Sequence, residues 1–235
     1  MIALAIDTAT DLLGIAARRD RVTATRLASG ARRHARELAG LIDEALAELG
    51  GGWDDVGELL VADGPGSFTG LRVGVAFAKG ASRARGLPIR TASTLMLSAW
   101  GGAGERRPVA VAAVAPALRG EVYAALYRVE TDRIECLVGP RVVAPGEALG
   151  GPTPDRLVSR VAQQALGEWP WAAGVAYVSE AAGRSAEHLL DLREVSGGTR
   201  MVDDVAGWEP EYGRPAEAQA RWERDHGRPL VDPSR

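Results

Sequence analysis

The sequence predicts an α/β fold made of two related halves. Each half opens with three apolar segments of strand length that are joined by short polar turns, and helical material follows each set. The six predicted strands span residues 2–6, 13–18 and 22–27 in the first half, and 109–115, 122–128 and 134–138 in the second. A meander that occurs twice in this way indicates a duplicated domain.

Two helices are predicted in the first half, on either side of a strand at Val56–Ala62. Apolar residues recur at helical spacing over 31–49, and a run of three glycines that begins at Gly50 ends this helix. The second helix covers 69–85 and directly follows a glycine-rich turn.

We expect the chain to divide into two lobes and a C-terminal segment. Residues 1–104 form the N-terminal lobe, and 105–205 form a smaller, degenerate C-terminal lobe with one helix predicted over 154–166. The segment 206–235 contains a last predicted helix over 216–225, preceded by a proline suited to a first turn, and we expect it to pack back on the N-terminal lobe.

The composition excludes several classes of protein. With 235 residues, of which 46% are hydrophobic, the chain is typical of folded globular proteins. A net charge of −3 provides no basic surface for nucleic acid, so we expect any link to RNA to be indirect. The single cysteine, Cys136, cannot form an internal disulfide or a cysteine-based zinc site, which suits a reducing cytoplasm. No apolar run approaches the roughly 20 residues of a membrane-spanning helix, and we interpret the apolar opening as a strand rather than a signal peptide.

A short acidic loop follows the first predicted strand. Asp7, Thr8 and Thr10 resemble the Asp-x-Gly-Thr phosphate loop of the actin-like ATPase superfamily. Ala9 replaces the glycine that lets backbone N–H groups approach a phosphate. The corresponding turn of the second half, residues 116–118, has no acidic side chain to hold a metal. We therefore interpret Asp7, Thr8 and Thr10 as a vestigial nucleotide loop.

The stretch GPGSFTGLRVG, residues 64–74, joins a predicted strand to a predicted helix. It is not a P-loop, because Leu71 follows Gly70 where that motif requires lysine. Its glycine spacing also differs from G-x-G-x-x-G. Ser67 is predicted to cap the helix by accepting an N–H bond from the first turn. Free N–H groups at a helix start can also bind an anion, and this alternative stays open.

Two stripes of small residues, each spaced by four, run along the predicted helix over 69–85. Their members are Gly70, Gly74, Ala78 and Ser82 in one, and Ala76, Gly80 and Ala84 in the other. An interior glycine costs a helix about 0.5 to 1 kcal/mol relative to alanine, so these glycines indicate a closely approaching neighbour. We consider two neighbours, the rest of this domain and a helix on another chain, and favour the second for Gly70 and Gly74.

No recognisable catalytic set is present. His34, His188 and His226 are scattered, without the paired spacing of a metal site. Ser67 lacks the G-x-S-x-G context of a nucleophile elbow. We therefore predict neither catalytic residues nor a metal site in this chain.

Six segments, in order along nearly the whole chain, resemble the TsaB (YeaZ) family. They are IALAIDTAT at 2–10, RRHARELAGLI at 32–42, VADGPGSFTGLRVGVAFAKG at 61–80, TAST at 91–94, GEVYAALY at 120–127 and PEYGRPAEAQ at 210–219. The resemblance implies a cytoplasmic bacterial protein with the duplicated actin-like ATPase (ribonuclease H-like) fold, in which two lobes each have a mixed sheet and flanking helices.

The resemblance also implies a function without catalysis by this chain. In this family the chain binds TsaD in the complex that forms N6-threonylcarbamoyladenosine next to the anticodon of tRNAs reading ANN codons. TsaD carries the metal and the chemistry, and the ATPase TsaE joins the larger assembly, so ATP and metal are expected on the partner subunits. The chain meets tRNA indirectly through the complex, and a homodimer is expected when the partner is missing.

The family's partner-binding helices map to residues 31–49 and 69–85. The predicted interface residues are His34, Leu38, Leu41, Gly70, Gly74, Ala78, Lys79 and Ser82. The chain departs from the family where Pro116, Ala117 and Leu118 replace Asp-Ala-Arg, which further weakens any independent nucleotide binding.

Two alternatives to the scaffold function stay open. One is an ATP-dependent kinase-like or metallopeptidase-like enzyme of the same superfold. The other is direct contact with tRNA through Arg32, Arg33 and Arg36.

Overall fold

The structure is a computed structural model that describes residues 1–30, 33–105, 107–117, 120–161, 163–166, 169–179 and 185–213. The last predicted helix, 216–225, lies outside these residues, as do Arg32, Leu118 and His226. Within them, no helix is both long and apolar enough to cross a membrane.

The described residues form eleven strands and four helices. The strands are β1 (Ile2–Asp7), β2 (Leu12–Arg19), β3 (Val22–Ser29), β4 (Val56–Ala62), β5 (Ile89–Ala92), β6 (Val109–Pro116), β7 (Val122–Val129), β8 (Ile134–Val143), β9 (Arg156–Ser159), β10 (Ala176–Ser179) and β11 (Arg200–Met201). The helices are α1 (His34–Glu48), α2 (Phe68–Arg85), α3 (Thr94–Gly102) and α4 (Ser185–Leu192).

Two mixed sheets share one topology, as the duplicated pattern predicts. The first sheet has the order β11-β5-β4-β1-β2-β3, and the second has the order β10-β9-β6-β7-β8. In the first, β1 pairs antiparallel with β2 and parallel with β4, so that Ile6 lies opposite both Ile15 and Val61. In the second, β6 pairs antiparallel with β7 and parallel with β9. The duplicated α/β fold is therefore confirmed.

Alternating side chains of the strands build three apolar layers. Ile2, Leu4 and Ile6 of β1 point toward α1 and α2, where they pack with residues such as Ile42 and Val75. The opposite face of the first sheet packs on α4, and α4 packs on α3, which contacts the second sheet. The remaining face of the second sheet is covered by residues between β8 and β10. Consequently α1 and α2 form an outer layer, whereas α3 and α4 lie between the two sheets.

The predicted helix over 154–166 is wrong. Residues Arg156–Ser159 form β9, in which Leu157 and Val158 are buried, and β9 lies between β6 and β10 with parallel pairing to both. Among the described residues of this stretch, the helical part is a short 3₁₀ turn at Gln163–Leu166. A four-residue buried strand is too short to show a period of two, so the apolar residues of this stretch were compatible with a helix.

Residues 200–213 return to the first sheet after α4. Arg200 and Met201 form β11, which pairs antiparallel with β5. Val202 and Trp208 are buried in the apolar layer beneath α1 and α2. The predicted domain boundaries stay predictions, and the described part of the segment that begins at 206 lies against the N-terminal lobe.

Candidate partner-binding site

The glycine-rich turn positions the start of α2. Gly64 has φ +115°, and a Cβ there would clash with the carbonyl oxygen of Glu211. The Ser67 hydroxyl oxygen accepts a hydrogen bond from the Gly70 N–H at 3.2 Å. The prediction that Ser67 caps this helix is therefore confirmed.

Two residues of the predicted vestigial nucleotide loop, Asp7 and Thr10, form side-chain hydrogen bonds within their own chain. Asp7 is 1% exposed, and its carboxylate accepts hydrogen bonds from the Ala9 N–H at 2.8 Å and from the Ser185 hydroxyl. The Thr10 hydroxyl oxygen accepts a bond from the Leu12 N–H at 3.1 Å. These contacts give the side chains of Asp7 and Thr10 a structural function between β1, β2 and α4.

The start of α2 also uses its N–H groups within the chain. The Ser67 N–H donates to the Ala9 carbonyl at 2.7 Å, while the Gly70 N–H donates to Ser67. Carbonyl oxygens of Thr8 and Ala9 thus face the turn, where an anion would require donors. This geometry disfavours the anion-binding alternative.

The stripe of Gly70, Gly74, Ala78 and Ser82 faces the interior of the chain. All four residues are buried. A Cβ at Gly70 would clash with the Thr8 carbonyl oxygen, and a Cβ at Gly74 would clash with the Thr8 hydroxyl oxygen. The close neighbour of these glycines is therefore Thr8, and the prediction of a helix on another protein as their neighbour is wrong.

The other predicted interface residues divide between interior and surface. His34 and Leu38 are buried, with His34 Nε2 lying 3.4 Å from the Asp11 carbonyl oxygen. Leu41 is half-buried at the edge of the apolar layer. Lys79 reaches the surface and donates to the Ala206 carbonyl at 3.0 Å. Of the eight residues, only Leu41 and Lys79 therefore present side chains toward the exterior.

A different stripe of α2 faces outward, and we call it the outer stripe. It is formed by five exposed residues spaced by four: Phe68, Arg72, Ala76, Gly80 and Ala84. An added Cβ at Gly80 would meet no described atom within 4 Å. The helical spacing of Ala76, Gly80 and Ala84 was visible in the sequence, but the side on which this stripe lies was not.

A shallow apolar groove of about 420 Å³ runs beside the C-terminal half of the outer stripe. Its lining residues are Trp53, Ala76, Phe77, Gly80, Ala81, Ala84 and Arg85. The rings of Trp53 and Phe77 lie 5.9 Å apart, and the Arg85 guanidinium lies 5.6 Å from the Trp53 ring. The Trp53 Nε1–H donates to Asp43 of α1 at 3.0 Å, which fixes the wall of the groove. Sequence reasoning missed Trp53 and Phe77, although Phe77 is adjacent in sequence to the stripe residue Ala76.

A buried carboxyl group lies at the end of β4, next to the glycine-rich turn. Burial raises the pKa of Asp63 to about 6, although Arg200 at 2.6 Å favours the ionised form. The Asp63 carbonyl also accepts the Glu211 N–H at 2.7 Å. Asp63 thus joins the turn to the segment that follows β11.

Metal-ligating side chains are not grouped in the part of the chain that the structure describes. No cluster of three or more His, Cys, Asp or Glu residues is found there.

Comparison with known proteins identifies the family. A family model described as "TsaD: tRNA N6-adenosine threonylcarbamoyltransferase" matches residues 26–183. The tRNA threonylcarbamoyladenosine biosynthesis protein TsaB of Bacillus subtilis (strain 168) is 30% identical over 225 residues, which cover 94% of this chain and 97% of that protein. The chain belongs to the TsaB family. The TsaB of Escherichia coli (strain K12) is 31% identical over 166 residues, covering 71% of this chain and 68% of that protein.

A solved structure supports the fold of this TsaB-family chain. The crystal structure of an uncharacterized protein with similarity to peptidase YeaZ from Pseudomonas aeruginosa matches with a TM-score of 0.78 and 24% identity. The match covers 91% of this chain and 99% of that one. The fold is the duplicated actin-like, ribonuclease H-like fold that the sequence predicted.

Proposed function

We propose that this chain is a non-catalytic subunit that binds and activates TsaD in the biosynthesis of N6-threonylcarbamoyladenosine in tRNA. Two relatives in its family carry the name of this pathway. On this proposal the metal, ATP and the chemistry belong to the partner subunits TsaD and TsaE, and tRNA is met through the complex. On the same proposal, the chain and its complex act in the cytoplasm.

The outer stripe of α2 is the observation that carries the proposal. Gly80 lies in the helix interior, where glycine costs about 0.5 to 1 kcal/mol relative to alanine. Within the described residues no neighbour approaches this position, so no contact there offsets the cost. Ala76, Gly80 and Ala84 line the apolar groove beside the Trp53 and Phe77 rings, and we call this part of the groove the trough. It fits a helix of another protein, because small side chains let helix backbones approach closely.

The family model supports TsaD as the occupant of this trough. The model is named for TsaD, and its match to residues 26–183 includes both α1 and α2. A TsaD is therefore expected to have counterparts of these two helices. Related surfaces can pair about a pseudo-twofold axis, as identical surfaces do in a dimer. The same geometry provides a homodimer contact when the partner is missing.

The contacts of Asp7 support a non-catalytic function. Its carboxylate oxygens are hydrogen-bonded to Ala9 and Ser185, so this acidic group holds β1 to α4 instead of facing open solvent. The turn of the second half begins with Pro116, which has no N–H to donate to a phosphate. These features favour a scaffold over the kinase-like and metallopeptidase-like alternatives.

A leucine at Gly80 tests the proposal by filling the trough. We expect Gly80→Leu to weaken the complex with TsaD from the same organism by about tenfold or more. The leucine side chain would fill the trough and prevent the partner's helix from approaching α2 closely. Gly139→Leu is the matched control, since Gly139 lies on β8 of the other lobe and also has open space at its Cβ position. Co-purification and titration calorimetry measure binding, and circular dichroism checks the fold. If folded Gly80→Leu binds TsaD like the wild type, this docking site is wrong.

A further inference from the structure

The N-terminal end of the outer stripe carries an aromatic pair, in which Phe68 is exposed and Tyr212 is half-buried. Phe68 is 44% exposed, although it is the first residue of α2 and Ser67 already caps the helix. The Tyr212 ring packs on Phe68 with centroids 4.6 Å apart and an angle of 34° between the planes. Neither the cap nor the helix requires an aromatic residue here, and aromatic residues are enriched at protein interfaces.

The segment that holds Tyr212 is anchored on both sides, and we call residues 202–213 the C-terminal strap. Trp208 is buried in the apolar layer beneath α1 and α2. The Glu211 N–H donates to the Asp63 carbonyl at 2.7 Å, and the Tyr123 hydroxyl donates to the Tyr212 carbonyl at 3.2 Å. These bonds fix the backbone around Tyr212, so a partner does not have to order it on binding.

Arg72 lies next to this pair and has no acidic partner among the described residues. Its guanidinium carbon is 5.5 Å from the centre of the Phe68 ring. No described carboxylate lies within 4.0 Å of it, whereas Arg85 at the other end of α2 pairs with Asp54 at 2.7 Å. Because Arg72 is exposed, its guanidinium can reach an acidic group of another protein.

We infer that Phe68, Arg72 and Tyr212 form a second contact for the protein that occupies the trough, in which Arg72 pairs with a carboxylate of that partner. Phe68 and Arg72 belong to the same stripe as Gly80, so one partner surface can cover both ends. The stripe runs over seventeen residues, from Phe68 to Ala84, and is about 24 Å long, so a partner helix of similar length can cover it. Aromatic residues and arginine are the residue types that dominate binding energy at interfaces.

The identity of the partner rests on the proposed function, and the inference adds the chemistry of its recognition. A pair between Arg72 and a carboxylate makes binding depend on salt, because ions screen the attraction. The strap then has a second function, since it places the Tyr212 ring on the docking face.

The test is titration calorimetry of the full chain with TsaD at low and high salt. We expect Arg72→Glu and Tyr212→Ala each to weaken binding about tenfold or more, and Arg72→Glu to reduce the salt dependence. Arg21→Glu is the control, because it makes the same charge change at an exposed arginine in the turn between β2 and β3.

Three outcomes separate this inference from the proposed function. Weak binding by both variants with unchanged binding by Arg21→Glu supports the second contact. Wild-type affinity and salt dependence in folded Arg72→Glu and Tyr212→Ala, together with loss of binding in Gly80→Leu, overturn it and leave the proposed function standing. An absence of TsaD binding by the wild type overturns both.

Discussion

Thr8 determines how closely the loop after β1 approaches α2. Its carbonyl oxygen would clash with a Cβ added at Gly70, and its hydroxyl oxygen would clash with a Cβ added at Gly74. The hydroxyl is buried and has no hydrogen-bond partner among the described residues. A buried hydroxyl without a partner is unfavourable, so the Thr8 hydroxyl carries an energetic cost at this position.

Gly74 and Gly80 provide a matched test of this contact. We expect Gly74→Ala to lower the free energy of unfolding by about 1 to 3 kcal/mol, because the new methyl group overpacks against Thr8. Gly80→Ala should instead raise it by about 0.5 to 1 kcal/mol, since alanine favours the helix and the site is open. Urea denaturation measures both values. Equal changes in the free energy of unfolding for the two substitutions would contradict the assignment of inner and outer faces. In the double variant, Thr8→Ala should restore part of the stability that Gly74→Ala removes.

Asp63 should make stability depend on pH. Because burial raises its pKa from 3.8 to about 6, its contribution to stability is fully present below pH 3.8 and is lost as the pH rises through about 6. The loss amounts to about 3 kcal/mol for a shift of this size. We expect the stability of Asp63→Asn relative to the wild type to increase between pH 4 and pH 7.5, as measured by urea denaturation. A difference that stays constant or falls over this range would show that the raised pKa is wrong.

At the scale of elements, the sequence predicts α2 well but not the use of its faces. Both stripes of small residues have the same spacing, and only the position of the loop after β1 decides that Gly70 and Gly74 face inward. The bounds of α1, α2 and β4 are nearly those predicted, since long periodic segments and glycine boundaries are strong signals. The buried helix α3 was missed because it is apolar all round and has no periodic polar face.

The groove also depends on contacts between residues that are far apart in the sequence, which hydrophobic periodicity does not predict. Trp53 precedes β4 in a short 3₁₀ turn and reaches Phe77 through space, while Asp43 holds its indole N–H. Tyr212 reaches Phe68 across more than half of the chain. The contact of Tyr212 arises from the return of the C-terminal strap to the first sheet, whereas the contacts of Trp53 arise from packing of the turn before β4 against α1 and α2. No local pattern predicts either.

At the scale of the molecule, the order of the layers leaves α1 and α2 as the outer helices of the first lobe. The helices α3 and α4 are enclosed between the two sheets, and the far face of the second sheet is covered by its own connections. The five strands of the second sheet follow the order of five strands of the first, yet among the described residues only the first half presents two long helices outward. This asymmetry agrees with a partner-binding function for the N-terminal lobe.

Amide hydrogen exchange of the chain with and without TsaD is the most direct test of this binding surface. At a concentration where the isolated chain is monomeric, we expect TsaD to slow exchange in α1, in α2 and in residues 208–213, because docking suppresses local opening of these segments. Exchange in β8 should stay unchanged, since this strand lies at the far edge of the second sheet. Protection confined to the second sheet, with α2 unaffected, would contradict the account.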